Sequence, residues 1–204
     1  MSEALANRVA KMMSKERFLH TLGVANEASR MARLYCPEKE EMLCHAALLH
    51  DIAKEYSKEQ TANVLSREGI VLREDEAATP AIHHALIAPP EILRLFPEYA
   101  TDELLLAVRY HTTGRAEMTL TEAILYLADV IESGRTYPAC VALRERFWGA
   151  DPSQMDKEER LAHLREVLLA SLEGVKRSIS KKGGTVCLDT DGAIAFLKQK
   201  KTLL

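Results

Sequence analysis

The apolar residues of this chain recur mostly three and four positions apart, the spacing that places them on one face of an α-helix. Strand-like alternation is nearly absent, and the segment 185–188 is too short to build a sheet. Alanine and leucine outnumber valine and isoleucine, which also favours helix over sheet. We therefore expect an all-α fold, organised as a single compact helical bundle.

Helices and breaks follow from the same pattern. Three prolines, Pro89, Pro90 and Pro97, remove backbone donors in the middle of the chain, so we expect residues 86–101 to be irregular. No internal repeat and no linker divides the chain, so residues 1–204 are expected to form one domain. The predicted helices cover residues 3–13, 16–35, 38–54, 57–68, 79–88, 102–112, 121–133, 139–148, 156–181 and 189–199.

Charge and composition exclude several classes of protein. With 27 Lys+Arg against 30 Asp+Glu, the net charge of −3 argues against a dedicated binder of nucleic acid or of anionic membranes. No run approaches the roughly 18 apolar residues of a membrane span, and no signal peptide is recognisable. The four cysteines form neither a CxxC pair nor a disulfide framework. We expect a cytoplasmic protein; a homodimer formed through a self-complementary helix face stays an open alternative.

Two apolar segments carry charged or imidazole side chains in unexpected places. The adjacent pair His50-Asp51 lies in one, and Asp129 lies in the segment 123–131, which is apolar on every face and is predicted to be a buried central helix. A buried carboxylate costs several kcal/mol unless a charge or several donors meet it. Asp129 therefore either caps a helix or accepts hydrogen bonds from His or Arg, or it shares a divalent cation with histidines. His20, on an earlier helix, is the natural further donor.

The order of these residues resembles the HD superfamily of metal-dependent phosphohydrolases, whose ligands are a His, an adjacent His-Asp and a distant Asp. Three segments are similar to one branch, the bacterial symmetrical bis(5′-nucleosyl)-tetraphosphatases: HDIAKE at 50–55, RYHTTGR at 109–115 and YLADVIESGR at 126–135. The resemblance runs from about residue 16 to residue 195, which is almost the whole chain.

This resemblance implies an HD domain with a core over about 16–135, completed by C-terminal helices over about 139–199, that cleaves diadenosine tetraphosphate into two ADP. The implied cofactor is iron, and the implied metal ligands are His20, His50, Asp51 and Asp129. The implied nucleotide contacts, including one from a looser C-terminal match, are Asp51, Ile52, Ala53, Lys54, His83, His84, His111, Asp129, Arg135 and Lys176. His83 and His84 stay alternatives for one histidine position, and the proline that usually precedes the last arginine is absent here.

The chemistry of polyphosphate hydrolysis suggests roles for these residues. Asp51, Lys54 and His111 are the candidate catalytic residues: Asp51 would ligate the metal and orient a water, and Lys54 would hold a phosphate as a point charge. His111, with His83 or His84, would bind phosphate and protonate the leaving group, or complete a second metal site. Arg135 would offer a forked contact to phosphate. A mixed nitrogen and oxygen donor set also accepts manganese, cobalt or zinc.

Two rival functions remain on the same residues. One is an HD phosphohydrolase that acts on a nucleoside monophosphate, a guanosine alarmone or a cyclic nucleotide, because the metal ligands do not select the substrate. The other is a nucleotide- or metal-sensing module without turnover. Tyr110, Tyr126 and Tyr137 fall at helical spacing and are expected in the core rather than stacked on adenine.

Overall fold

The computed structural model describes residues 3–199; residues 1–2 and 200–204 of the predicted domain lie outside that range. Helices and turns account for the described chain, which contains no strand, so the all-α expectation is confirmed. Within this range the α-helices are α1 (Glu3–Val9), α2 (Lys15–Tyr35), α3 (Glu40–Leu49), α4 (Lys58–Arg67), α5 (Glu74–Ala77), α6 (His83–Leu95), α7 (Asp102–Tyr110), α8 (Leu120–Ile131), α9 (Pro138–Gly149), α10 (Lys157–Lys181) and α11 (Leu188–Gln199). Among the helices of residues 3–199, none combines the length and the hydropathy that a membrane span requires.

Several helices begin at the capping residues that the sequence offers. Ser57 accepts a hydrogen bond from the backbone N–H of Gln60, and the side chain of Gln60 accepts one from the backbone N–H of Ser57, which is the capping box expected at α4. Thr101 caps α7 in the same way through the N–H of Leu104. These contacts satisfy donors that a helix start otherwise leaves unpaired.

Helix α8 lies at the centre of the bundle. Nine of its twelve residues are buried, and it packs against α2, α7 and α9. Helices α2 and α3 pack together over much of their length and complete the core beside α8. The side chains on the last turn of α8 are consequently held within the protein rather than in solvent.

Helix α6 corrects the expectation of irregular chain over 86–101. It continues through Pro89 and Pro90 to Leu95, although the two prolines remove backbone donors from its second turn. Burial of the surrounding apolar residues, among them Ile87 and Ile92, offsets the lost hydrogen bonds. The chain leaves the helix only at Phe96, before the short 3₁₀ helix Pro97–Tyr99.

Helix α3 ends earlier than the predicted 38–54. Its last residue is Leu49, and residues 50–55 form consecutive turns instead of a further helical turn and a half. The backbone N–H of Lys54 bonds the carbonyl of Asp51 three residues earlier, in place of the four-residue spacing of an α-helix. His50 and Asp51 thus lie just beyond the helix end, where tighter turns change the directions of their side chains.

Candidate metal centre

Three distant stretches of chain meet at the end of α8. Nε2 of His20, on α2, lies 3.0 Å from Oδ1 of Asp129, on α8. Nε2 of His50 lies 3.9 Å from the same oxygen and 3.4 Å from Oδ2 of the adjacent Asp51. The four residues expected to bind a metal are therefore brought together around one point, two from the turn after α3 and one each from α2 and α8.

A second pair of histidines faces the other oxygen of Asp51. Oδ1 of Asp51 lies 3.3 Å from Nε2 of His84, at the start of α6, and 3.6 Å from Nε2 of His111, just after α7. The Nε2 atoms of His84 and His111 are 3.3 Å apart. His83 instead places its Nε2 2.9 Å from the carbonyl of Glu76. The structure thus brings His84, and not His83, to the centre.

The imidazoles are oriented by hydrogen bonds on their far nitrogens. His50 and His111 each donate Nδ1–H to the backbone carbonyl three residues earlier, at 2.6 and 2.7 Å. Nδ1 of His20 lies 3.1 Å from Oε1 of Glu132, which is buried. In all three rings the Nε2 atom consequently points toward the carboxylates, as in histidines that ligate metals.

The turn that carries Glu132 is itself held by α9. Nη1 of Arg144 lies 2.6 Å from the carbonyl oxygen of Glu132 and 3.2 Å from that of Arg135. Oε2 of Glu132 also accepts the backbone N–H of Gly134 at 2.5 Å. The position of Glu132, and through it of His20, therefore depends on a helix that follows the four expected ligands in the chain.

Neighbouring charges keep both carboxylates ionised. Burial by itself would raise the pKa of Asp51 and of Asp129, but the imidazoles around them hold both pKa values well below the ordinary range. Arg17 adds a hydrogen bond of 2.9 Å to Oδ2 of Asp51, and Nη2 of Arg135 lies 2.6 Å from Oδ1 of Asp129. The centre presents two carboxylates that stay negative at neutral pH.

The donor set fits a divalent cation. Nε2 of His50 and Oδ1 of Asp51 are buried and make no hydrogen bond within the described residues, and such unpaired groups are rare in protein interiors. Two sets of three residues could each hold an ion, because the potential ligand atoms within each set all lie within 4.8 Å of one another. His50 belongs to both sets. The sets are His20, His50 and Asp129, and His50, Asp51 and His111. Imidazole nitrogen combined with carboxylate oxygen suits iron, manganese, cobalt and zinc.

Lys54 lies beside the second pair of histidines. Its Nζ is 3.1 Å from Nε2 of His84. Burial, together with the charges of His111 and Lys54, lowers the pKa of His84 well below its usual value, so this ring is neutral at pH 7. Burial also lowers the pKa of Lys54, against the attraction of Asp51. A neutral His84 can accept a hydrogen bond from the ammonium group of Lys54.

Two open cavities adjoin the centre on different sides. We call the first, of about 550 Å³, the Arg135 cavity; its lining includes Arg17, Leu19, His20, Arg135 and Tyr137. We call the second, of about 620 Å³, the Lys54 cavity; its lining includes Ala53, Lys54, Tyr56, Leu65, His83 and His84. Oδ2 of Asp51 faces residues of the Arg135 cavity, and Oδ1 faces a residue of the Lys54 cavity. Asp51 therefore contacts lining residues of two cavities that could each hold part of a ligand.

Three other residues expected to contact a nucleotide lie differently. The side chain of Ile52 is buried in the main core, and Ala53 is buried at the edge of the Lys54 cavity. Nζ of Lys176 is 2.6 Å from Oδ1 of Asp191, in a groove between α10 and α11. The structure does not bring Lys176 to the centre.

Two contacts at the centre were missed by the sequence reasoning. Arg17 precedes His20 by three residues, and Glu132 follows Asp129 by three, so each lies on the same side of the chain as an expected ligand. That spacing is the signal that could have identified both of them. Charged residues at such spacings are also common on solvent-exposed helix faces, so the spacing alone does not distinguish Glu132. Its burial in the structure does.

Tyr137 contradicts the expectation that the three tyrosines are core residues. Tyr126 is buried in α8 as expected, but Tyr137 is 68% exposed. The reason is that Tyr137 immediately precedes α9, outside any helix, so helical spacing does not apply to it. Its side chain lines the Arg135 cavity.

Comparison with known proteins assigns the family. The sequence pattern of the HD domain matches residues 17–134. The chain is 30% identical over 190 residues to a protein of Bacillus subtilis named symmetrical bis(5′-nucleosyl)-tetraphosphatase, covering 92% of each. It is 32% identical to a protein of the same name from Staphylococcus aureus, over 69% of this chain and 71% of that one.

The fold has a counterpart among solved structures. A crystal structure from Clostridium acetobutylicum, described as a predicted HD superfamily hydrolase involved in NAD metabolism, superposes with a TM-score of 0.82 at 27% identity. The match covers 98% of this chain and 97% of that one. The pattern match, the relatives and the shared fold agree with the family expected from the sequence, and the chain belongs to the HD domain family.

Proposed function

We propose that this chain hydrolyses diadenosine tetraphosphate symmetrically to two ADP in the cytoplasm. The observation that carries the proposal is the position of Asp51 within a cluster of four histidines, where its two oxygens contact residues that line two separate cavities. A substrate with a nucleoside at each end of a polyphosphate can occupy both cavities while its central phosphates lie at Asp51. Relatives bearing the corresponding name, over most of the chain length, support the same reaction.

The proposed cofactor is one iron ion, with manganese, cobalt and zinc as alternatives that the donors also accept. His20, His50, Asp51 and Asp129 would hold it, because their ligand atoms face one another at the end of α8. When bound, such an ion polarises a phosphate oxygen and lowers the pKa of water. We propose one ion rather than two, because the ammonium of Lys54 beside His84 would repel a second cation near His84 and His111.

The substrate carries several negative charges, which the cations around the centre would neutralise. Lys54 reaches the centre from the Lys54 cavity, and Arg17 and Arg135 reach it from the Arg135 cavity. The guanidinium of Arg135 would offer two parallel donors to phosphate oxygens. The tetraphosphate would thus lie between cations on both sides of Asp51.

Symmetrical products require cleavage of the central P–O–P bridge. A water oxygen forms a bond to one inner phosphorus, the bond from that phosphorus to the bridging oxygen breaks, and the second ADP leaves with the bridging oxygen. Asp51, ionised and within the cluster, would orient the water by accepting a hydrogen bond from it, and the proton of the water would pass to solvent as the new P–O bond forms. The proposal assigns proton donation to the bridging oxygen to His111, whose Nε2 lies 3.6 Å from Oδ1 of Asp51.

Product analysis tests the function. The metal-loaded protein, supplied with diadenosine tetraphosphate, should release ADP as sole product, and AMP plus ATP in equal amounts would contradict symmetrical cleavage. Chelation should abolish turnover, and the ion that restores it fully identifies the cofactor. Asp51→Asn should remove turnover while the helical content is retained.

A substrate panel separates the rival functions. Faster hydrolysis of a nucleoside monophosphate, a guanosine alarmone or a cyclic nucleotide would assign a different phosphohydrolase to the same centre. Tight nucleotide binding without turnover on any of these substrates, in a metal-replete preparation, would indicate a sensing module.

A further inference from the structure

The Arg135 cavity changes in chemical character between its inner end and its mouth. Its inner end holds Arg17 and Arg135, which contact the buried carboxylates of the centre. Its mouth carries two exposed apolar side chains, Leu19 at 59% and Tyr137 at 68% exposure. Guanidinium groups suit phosphate, whereas an exposed aromatic ring suits the flat face of a base.

The ring of Tyr137 has no evident role in the fold. Tyr137 precedes the first turn of α9, and its side chain makes no capping hydrogen bond there. Pro138 begins the helix and fixes the local backbone without help from the ring. The ring is nevertheless tied to the centre, because Arg135 lies only two residues before it. The ring of Tyr137 therefore lies close to Arg135 in the same cavity.

Acidic groups at the mouth exclude further phosphate. Glu16 and Glu55 both line the cavity, and the carboxylate of Glu55 accepts hydrogen bonds from the N–H and hydroxyl of Ser14. Carboxylates repel phosphate, but they accept hydrogen bonds from the hydroxyls of a ribose or the amino group of a base. The outer part of the cavity therefore suits an uncharged nucleoside.

We propose that the Arg135 cavity binds one of the two nucleosides of the substrate, with the base stacked on Tyr137 and flanked by Leu19. The polyphosphate then passes Arg17 and Arg135 to reach Asp51, and the other nucleoside lies on the side of the Lys54 cavity. This inference rests on the proposed function, because a ligand with a single nucleoside needs only one of the cavities. Tyr137 is thereby a binding residue for the nucleoside in the Arg135 cavity.

Steady-state kinetics of the full-length, metal-loaded protein tests the inference. Tyr137→Ala should raise the KM for diadenosine tetraphosphate about tenfold, since stacking on an aromatic side chain contributes about that much to the binding of a base. Tyr137→Phe keeps the ring and should retain the wild-type KM. Leu19→Ala should raise KM in the same direction. Val71→Ala, at an exposed apolar residue outside both cavities, is the matched control.

The melting temperature and the bound metal provide the readouts that a merely structural role would change. Both should be the same in wild type and Tyr137→Ala, because the ring is largely exposed. A KM for Tyr137→Ala equal to that of wild type would overturn the inference, and so would an equal rise in Tyr137→Phe. Failure of the wild type itself to release ADP would overturn the proposed function, which separates the two failures.

Discussion

Nδ1 of His20 lies 3.1 Å from Oε1 of Glu132, so a buried carboxylate at the end of α8 sets the direction in which a ring of α2 points. We expect Glu132→Ala to weaken divalent-cation affinity by about 10- to 100-fold, the usual effect of removing such an orienting partner. Glu132→Gln keeps an acceptor oxygen and should lose less. Titration of the metal-free protein with cobalt measures both, and an unchanged affinity in Glu132→Ala would contradict the orienting role.

Gly23 provides the space that Glu132 occupies. A β-carbon at position 23 would overlap Oε2 of Glu132 and would lie 3.1 Å from its Cδ. Gly23→Ala should therefore displace the carboxylate and weaken cation affinity, although alanine is the better helix former. Shortening the acid in the double variant Gly23→Ala/Glu132→Asp should recover part of the affinity. If Gly23→Ala binds the ion as wild type does, the side chain of Glu132 is not confined as the structure indicates.

The charge of Lys54 should contribute to nucleotide binding and not to metal binding. Its ammonium contacts His84, on the side of Asp51 away from His20. Lys54→Met keeps the aliphatic stem and removes the charge, so we expect KM to rise about tenfold, as for loss of one hydrogen bond to a charged group. Elemental analysis should find the same metal content as in wild type. Lys11→Met, at an exposed lysine of neither cavity, is the control, and equal loss of metal in Lys54→Met would contradict the assigned role.

Glu91 bonds Tyr56, which lines the Lys54 cavity, and the strength of this contact should depend on pH. Burial would raise the pKa of Glu91, but hydrogen bonds from Arg94, Tyr56 and Arg67 lower it to about 2. Because the folded-state pKa lies below the unfolded one, this cluster stabilises the fold above about pH 4.5 and loses that contribution as the pH falls toward 2. It ties α4 to α6 on either side of the cavity.

Glu91→Gln should therefore lower the free energy of unfolding by about 2 kcal/mol at pH 7. The difference from wild type should shrink between pH 5 and pH 2, as measured by urea denaturation across that range. Glu59→Gln, at an exposed residue of α4, is the control and should change little. A difference that stays constant down to pH 2 would show that the charge of Glu91 is not the cause.

Most helices could be predicted from the sequence, because apolar periodicity and capping residues reflect preferences that neighbouring residues along the chain determine. The exceptions were places where tertiary burial opposes a local preference. Pro89 and Pro90 disfavour a helix locally, yet the apolar side chains around them are buried and keep α6 intact. The end of α3 at Leu49 could not be predicted from periodicity either, since the apolar pattern continues past this residue.

The candidate metal ligands could be predicted because a charged group in an apolar segment is costly to bury unless an opposite charge, several hydrogen-bond donors or a cation meets it. Which of His83 and His84 faces the centre could not be predicted, because adjacent residues differ only by a rotation that the start of α6 fixes. The two cavities were equally beyond reach, since each is formed by residues far apart in sequence. The exposure of Tyr137 depends on where α9 begins, a boundary that pattern analysis places only approximately.

Arg144, through its bonds to the carbonyls of Glu132 and Arg135, has a consequence for where this protein can be divided. The matched family pattern stops at residue 134, ten residues before this arginine. A fragment truncated at that boundary would retain all four expected metal ligands. It would lack Arg144, which bonds the turn that carries Glu132. The catalytic unit of this chain therefore extends beyond its recognisable signature.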